Sequence, residues 1–346
     1  MTVMGSRGIL IGIAGLLLVI MGIPALLVSW VGADTADAGD KLGKEGTDLT
    51  GQSSLQVRVY LSKEKRVIQL PLESYIEGVV AAEMPAQFHS EALKAQALAA
   101  RTYIVGRLMK GQVLDAKEWG EKASGAHVTD TVQHQAYATD AVLRKKWGYN
   151  YPNNKRRVAE AVHATAGQII TYGGKPIYAA FFSTSNGSTE NSEDYFKEKY
   201  PYLRSVDSPW DQLSPKYISR ISMKPDVFLS KLEHATGKRL AVATLQPTSN
   251  QSFAVLSRTQ GARIERVRIG GEVFKGREVR EALNLPSSDF QLQMKDGQVI
   301  ITTKGYGHGV GMSQWGANLM AAQGKSVDEI IKHYYQGVEI NRLRLD

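Results

Sequence analysis

Three hydrophobic patterns follow one another along the chain. From 8 to 30 the residues carry no charge and are mostly Leu, Ile, Val, Gly and Ala. A run of about 23 such residues at about 1.5 Å each spans a bilayer core, which predicts a transmembrane helix. Residues 1–7, with Arg7, form a short cytoplasmic stub, and Asp34, Asp37 and Asp40 follow on the far side, so the remaining chain is expected outside the membrane. Val31-Gly32-Ala33 offers the alternative of a cleaved leader. Residues 31–54 are rich in Gly, Asp, Thr and Ser without periodicity and read as a flexible tether. Ordered patterning starts at Leu55. Val57, Val59 and Leu61 alternate, Lys63-Glu64-Lys65-Arg66 turns, and Val67 to Leu70 returns, the pattern of a hairpin.

From Leu72 to Arg107 the period changes to that of a helix. Ile76, Val79 and Glu83 fall at i, i+3 and i+7, so they share a face, and Pro85 turns the chain off the axis at Met84. A second helix is expected from Ser90 as N-cap, with Leu93, Ala97, Ile104 and Leu108 as its stripe. Glu83 thus sits at a helix break on an apolar face. Desolvation there would raise its pKa, as a general acid requires. Glu73, Glu77 and Glu91 are its rivals. Glu73 and Glu77 read as an exposed face, and Glu91 as a first-turn charge that complements the helix dipole.

The stretch 111–154 is polar and reads as a surface excursion, with His127, His134 and the cluster Arg144-Lys145-Lys146 on it. On a helix the two histidines would lie about 10.5 Å apart, too far for one metal. Helix signals run from Asn154 to Ala164. Gln168–Thr171 and Pro176–Phe182 then form a hairpin over Gly173-Gly174, and PIYAAFF at 176–182 reads as a buried strand. That strand spills into a polar run, Ser183 to Asn191, which reads either as a site loop or as a plain turn. Aromatics crowd next (Tyr195, Phe196, Tyr200, Tyr202, Trp210), suited to sugar faces and to cores alike. Between Tyr217 and Leu285 helices are expected at 225–236 and 276–283 and strands at 253–258 and 263–269. A hairpin over Asp296-Gly297 follows at 290–303, and 219–300 reads as an inserted lobe. KGYGHGVGMSQWGA, 304–317, places glycines at every second position before a helix capped by Ser313, a loop that a ligand could approach closely. His308 is a site candidate within it. The spacing fits no nucleotide-binding loop. Ser326 to Glu329 forms a capping box.

Composition narrows the function classes. The 346 residues are 43% hydrophobic with net charge +8, which supports a packed core and polyanionic surroundings such as a cell wall or anionic lipid. The scattered basic residues do not mark a nucleic-acid groove. Cysteine is absent, which excludes disulfides, thiolate catalysis and Cys-ligated zinc. The interleaved strands and helices without a βαβ rhythm predict an α+β fold, a two-lobed extracytoplasmic domain (55–346) with a cleft.

AAEMP at 81–85, LKAQALAARTY at 93–103, FFSTSNGSTE at 181–190 and GYGHGVGMSQWGA at 305–317 together resemble the stage II sporulation protein D family. The resemblance covers the chain from Leu55 onward. It implies a lytic transglycosylase that cuts peptidoglycan glycan strands, preferably denuded ones, during forespore engulfment. It further implies work beside the amidase stage II sporulation protein P and the membrane protein M, in the space between the mother-cell and forespore membranes. Glu83 is by this resemblance the catalytic acid. Arg101, Ser183, Ser185, Thr189, His308 and Gln314 are the implied substrate-binding residues, and Tyr195, from the aromatic cluster, joins them as a candidate for contact with sugar. Some relatives hold zinc with a Cys; this chain has none, so neither metal nor other cofactor is expected. The residues agree with that chemistry: hydrolases use two carboxylates, whereas attack by the sugar's own 6-hydroxyl needs only one acid and base. A wall-binding scaffold without turnover is the other class that the charge, the aromatics and the anchor would suit.

Overall fold

The chain opens on the expected hairpin. β1 (Gln56–Leu61) and β2 (Arg66–Pro71) pair antiparallel from Gln56↔Pro71 to Leu61↔Arg66, with Lys65 at φ +52° in the turn. The computed structural model describes residues 55–240, 245 and 253–344; the expected anchor, the stub and the tether lie outside them. Among the described residues no helix is long and apolar enough to cross a membrane.

The helix pair is where periodicity put it. α1 is Leu72–Glu83 and α2 is Ser90–Met109. The cap of α2 is His89, whose Nδ1 accepts from the Glu91 N–H at 3.3 Å, one residue before the expected Ser90. α2 is the central element. Leu93, Leu98, Ile104 and Val105 are buried on it together with Gln96, Arg101 and Thr102, so no side of it is a polar face. Its many alanines let neighbours approach closely from several directions.

The stretch 111–154 is not a surface excursion. β3 (Val128–Thr129) adds to β1 as a parallel strand, and Ala123, Ala126, Gln135, Ala138 and Leu143 are buried. Its sequence concealed this because short, interrupted segments bury single residues without a period. After the four-residue α3 (Ala116–Trp119) come α4 (Asp140–Trp147) and α5 (Tyr151–Ala164).

β4 (Gln168–Tyr172) turns through Gly173 and Gly174, both at positive φ, into β5 (Lys175–Pro176), and β14 (Glu339–Arg342) flanks β4. The expected strand 176–182 is broken. Only β6 (Phe181–Phe182) resumes, paired parallel with β13 (Met312–Ser313), and Tyr178 between the two pieces is exposed. The single turn α6 (Ser192–Tyr195) follows.

A second hydrophobic core takes its buried residues from 228 to 301, among them Phe228, Val267, Phe274, Phe290 and Ile301. It is enclosed by α7 (Pro225–Thr236), α8 (Gly276–Leu283) and two three-stranded sheets. One is β10 (Glu272–Lys275), β9 (Ile264–Ile269) and β8 (Phe253–Arg258). The other is β11 (Phe290–Lys295), β12 (Gln298–Lys304) and β7 (Ile218–Met223). The Asp296-Gly297 hairpin turn joins β11 to β12 with both residues at positive φ, as its sequence demanded. α9 (Gln314–Ala322), capped by Ser313, and α10 (Val327–Tyr334), with its Ser326–Glu329 capping box, return the chain to α2. The architecture is mixed α+β.

Candidate functional site

Glu83 ends α1. It is only partly exposed, and burial raises its carboxyl above the usual carboxylate range, against the opposing pull of the Ala136 N–H, Gln314 and Lys146. The Ala136 N–H donates to Glu83 Oε1 at 2.8 Å. That contact depends on Gly78. A Cβ there would lie 2.2 Å from the Tyr137 ring, so a bare α-carbon is what allows 136–138 to lie on α1, with the Ala138 N–H reaching the Gly78 carbonyl. Tyr137 in turn stacks on Tyr75, whose hydroxyl donates to Gln135 Oε1 at 3.2 Å. Lys146, from the basic cluster on α4, donates to the carbonyl of Ala81, two residues before Glu83, at 3.3 Å.

Gln314 also hydrogen-bonds the Glu83 carboxyl. It is the first residue of α9, buried, and its Nε2 donates at 3.3 Å to Oε1 of the fully buried Gln96 on α2. Asp211 fixes the start of that helix. Its carboxylate accepts from Ser313 Oγ at 2.6 Å, Ser208 Oγ at 2.6 Å, Ser185 Oγ at 3.0 Å and the Ser185 N–H at 2.9 Å. Ser185 is therefore a buried bracing residue and not a substrate contact. Thr189 is likewise buried, accepting from the Val206 N–H at 2.9 Å and donating to the Arg204 carbonyl. Ser183 is partly exposed. Its carbonyl accepts from the Trp315 N–H, so the parallel pair β6–β13 delivers Ser183 beside Gln314.

Arg101 does not face any cleft. It is fully buried, donates to Glu73 through Nε at 2.9 Å and Nη2 at 2.6 Å, and spends its other donors on Thr165 and the carbonyls of Val162 and Gln168. This removes it from the substrate-binding set, and it corrects the reading of Glu73 as part of an exposed face. A helical stripe reports which side is apolar but not that one arginine crosses it to meet a carboxylate on the previous helix.

The glycine loop 305–311 packs on the protein's own backbone. A Cβ on Gly311 would stand 2.0 Å from the Ala180 carbonyl oxygen, while Thr184 and Tyr306 exchange backbone hydrogen bonds and the Glu190 N–H donates to the Gly309 carbonyl. Close approach is the reason for these glycines, but the approaching group is the 180–190 segment. His308 sits with its ring against Phe182, Tyr195 and Phe196 at 5.3–5.7 Å between centroids. Burial first, then Arg280 and Arg263, push its pKa down to about 3. Nδ1 accepts from the Val310 N–H at 3.1 Å, so the ring is neutral with its proton on Nε2.

His308 and Tyr195 border a cavity of about 620 Å³ that also touches Glu190, Thr259, Arg263 and Arg277. Glu83 and Gln314 are not on its wall. The sequence candidates therefore separate into two places: Glu83 with Gln314 near Ser183, and His308 with Tyr195 on the cavity. His127 and His134 belong to neither. His127 Nδ1 accepts from the Arg58 N–H, and His134, its pKa lowered to about 4 by burial, sits against Thr129 and Trp119. The buried pair Arg263–Glu190, at 3.2 Å, gave no sequence signal because its members are 73 residues apart.

The Stage II sporulation protein family model matches residues 60–172. A stage II sporulation protein D of Bacillus amyloliquefaciens is 44% identical over 340 residues, 95% of this chain and 94% of that protein. The stage II sporulation protein D of Bacillus subtilis (strain 168) is 42% identical over 301 residues, 87% of this chain and 83% of that protein. An amidase enhancer of Bacillus subtilis (strain 168) is 28% identical over 309 residues, 77% of this chain but 40% of that protein. With two relatives aligned over most of both lengths, the chain belongs to the stage II sporulation protein D family, a family of sporulation proteins.

Proposed function

We propose that the protein is a peptidoglycan lytic transglycosylase that cleaves the MurNAc–GlcNAc linkage to 1,6-anhydro ends during forespore engulfment, with Glu83 as its one acid and base. The observation that carries this reading is the state of Glu83, partly accessible yet desolvated enough to hold its proton above the usual carboxylate range. The protonated carboxyl donates to the glycosidic oxygen as the C1–O bond breaks. The resulting carboxylate then accepts the proton of the muramic acid 6-hydroxyl as that oxygen bonds to C1. No water enters and the carboxyl ends protonated, ready for another turn. The attacking hydroxyl belongs to the same sugar, so proximity replaces a second catalytic carboxylate. The Ala136 N–H fixes one carboxyl oxygen. Gln314 and Lys146 stabilise the carboxylate that forms.

The strand is proposed to lie in a cleft between the two cores, passing Ser183 and Gln314. The apolar run 8–30 would anchor the chain with this domain in the space between the two membranes, beside stage II sporulation proteins P and M. Product analysis tests the chemistry. Glycan strands treated with the protein should yield anhydro-ended fragments by mass spectrometry, and Glu83→Gln should yield none. Reducing ends would instead indicate a hydrolase. The likeness to an amidase enhancer supports a second reading, a wall-binding helper without turnover. That reading requires wild type and Glu83→Gln to bind walls alike while neither releases soluble fragments.

A further inference from the structure

Gln96 is buried to a degree that glutamine rarely is. It lies on α2 between Ala92 and Ala100, where every residue but Lys94 is buried, and it is itself 0% exposed. Its amide makes one side-chain hydrogen bond among the described residues. Oε1 accepts from Gln314 Nε2 at 3.3 Å, while Gln96 Nε2 finds no partner. A buried donor left unmet costs stability, so packing alone does not favour glutamine here. Methionine would fill similar space without that cost.

The bond matters for Gln314. Asp211 acts through Ser313 to fix where α9 begins, but this braces the backbone only. The terminal torsion of a glutamine is broad and roughly two-fold. The helix start therefore does not decide whether nitrogen or oxygen points at Glu83. Gln96 decides it. Its Oε1 can only accept, so Gln314 must meet it with Nε2, and the second hydrogen of that nitrogen serves the Glu83 carboxyl. With the Gln96 amide turned over, Gln314 would answer with its oxygen, and an acceptor would face the carboxylate that the reaction forms.

The other neighbours of Glu83 do not take this place. The Ala136 N–H occupies Oε1, and Lys146 acts from α4. Tyr75 on α1 also interacts with the carboxyl, but burial keeps it neutral, and Tyr103 and Arg107 of α2 act on Tyr75.

We propose that Gln96 is a positioning residue for Glu83: it holds the Gln314 amide with its nitrogen toward the carboxyl, so that a donor is in place when the proton leaves. This rests on the glycan-cleaving reading above and adds a residue that touches neither the substrate nor the acid.

The test uses the full chain with Gln96→Met, Gln314→Met and the two together. Turnover of peptide-free glycan strands to anhydro product gives kcat and KM. An NMR titration of the Glu83 carboxyl follows its pKa without substrate. Gln314→Met should lower kcat about ten- to a hundred-fold, the range for a hydrogen bond to a charged group. Gln96→Met should lower it about five-fold, the worth of a neutral one, with KM unchanged. In both variants the Glu83 pKa should rise, because a donor that opposes the effect of burial is lost or loosened. The alkaline limb of kcat/KM should move up with it. Adding Gln96→Met to Gln314→Met should change neither quantity further, since Gln96 acts through Gln314. Gln96→Leu repeats the measurement should the methionine variant fold poorly. An unmoved Glu83 pKa in the Gln96 variants overturns the proposal, whatever happens to thermal stability, and so do additive losses in the double variant. A wild type that releases no anhydro product overturns the glycan reading, and the titration then still decides whether Gln96 controls the carboxyl.

Discussion

At the scale of single residues, the reading depends on how one carboxyl holds its proton. Burial raises the Glu83 pKa, so folding favours its neutral form. Its stabilising contribution is therefore complete below the unfolded carboxylate pKa and is lost as pH rises through the higher folded value. Two outcomes follow with fixed sign. Glu83→Gln should match wild type in thermal stability in acid and exceed it near neutrality; equal stability at both pH values would show that the carboxyl is not desolvated. The same substitution should lower turnover by about 10²–10⁴-fold, the usual contribution of a general acid, measured as anhydro product over time. Lys146 opposes the upward shift. Lys146→Met should move the alkaline limb of kcat/KM to higher pH, and an unmoved limb would separate Lys146 from the carboxyl. Glu83 itself was legible in the sequence because a helical stripe and a proline are local signals. Gln314 was named only by its motif and not as a partner of Glu83, and Ala136 gave no signal, because each comes from more than 50 residues away, Ala136 from a segment without a period.

At the scale of elements, the structure turns on small residues that let segments touch. Gly78 sits in the middle of α1, where alanine would ordinarily gain up to about 1 kcal/mol of helix stability. Here the added methyl would meet the Tyr137 ring at 2.2 Å. Overpacking of this kind costs about 1–3 kcal/mol, and it would push away the segment that delivers the Ala136 N–H. Gly78→Ala should therefore lower thermal stability and reduce turnover together, and a variant more stable than wild type with full activity would break the link between Gly78 and the site. The glycine loop follows the same logic. Its alternating glycines were visible from sequence, but what fills the space they leave was not, since a missing side chain looks the same whether a ligand or another backbone approaches. Hairpins and caps were legible because Asp296-Gly297, Ser313 and Ser326 act on neighbours within a few positions. Arg101 was misread for the opposite reason. Its partner Glu73 is 28 residues away on another helix, and removing it would leave the guanidinium of the fully buried Arg101 without its carboxylate.

At the scale of the whole molecule, two features lie outside any single site: a net charge of +8 and the uncharged run at 8–30. Both bear on where the chemistry would take place. A wall polymer with many carboxylates attracts a cationic domain over roughly a Debye length, about 10 Å at 0.1 M salt and about 3 Å at 1 M. If the run at 8–30 is the anchor proposed above, it would confine that domain to a thin layer, where weak attraction suffices. The two contributions can be separated. Deleting residues 1–31 should move the protein from the membrane pellet to the supernatant of lysed cells. The freed protein should still bind purified walls, with affinity that falls steeply as salt rises. Retention of the truncated chain in the pellet after a high-salt wash would mean that the run is not the anchor. Salt-independent wall binding would mean that its attraction to the wall is carried by specific uncharged contacts, and not by its overall charge.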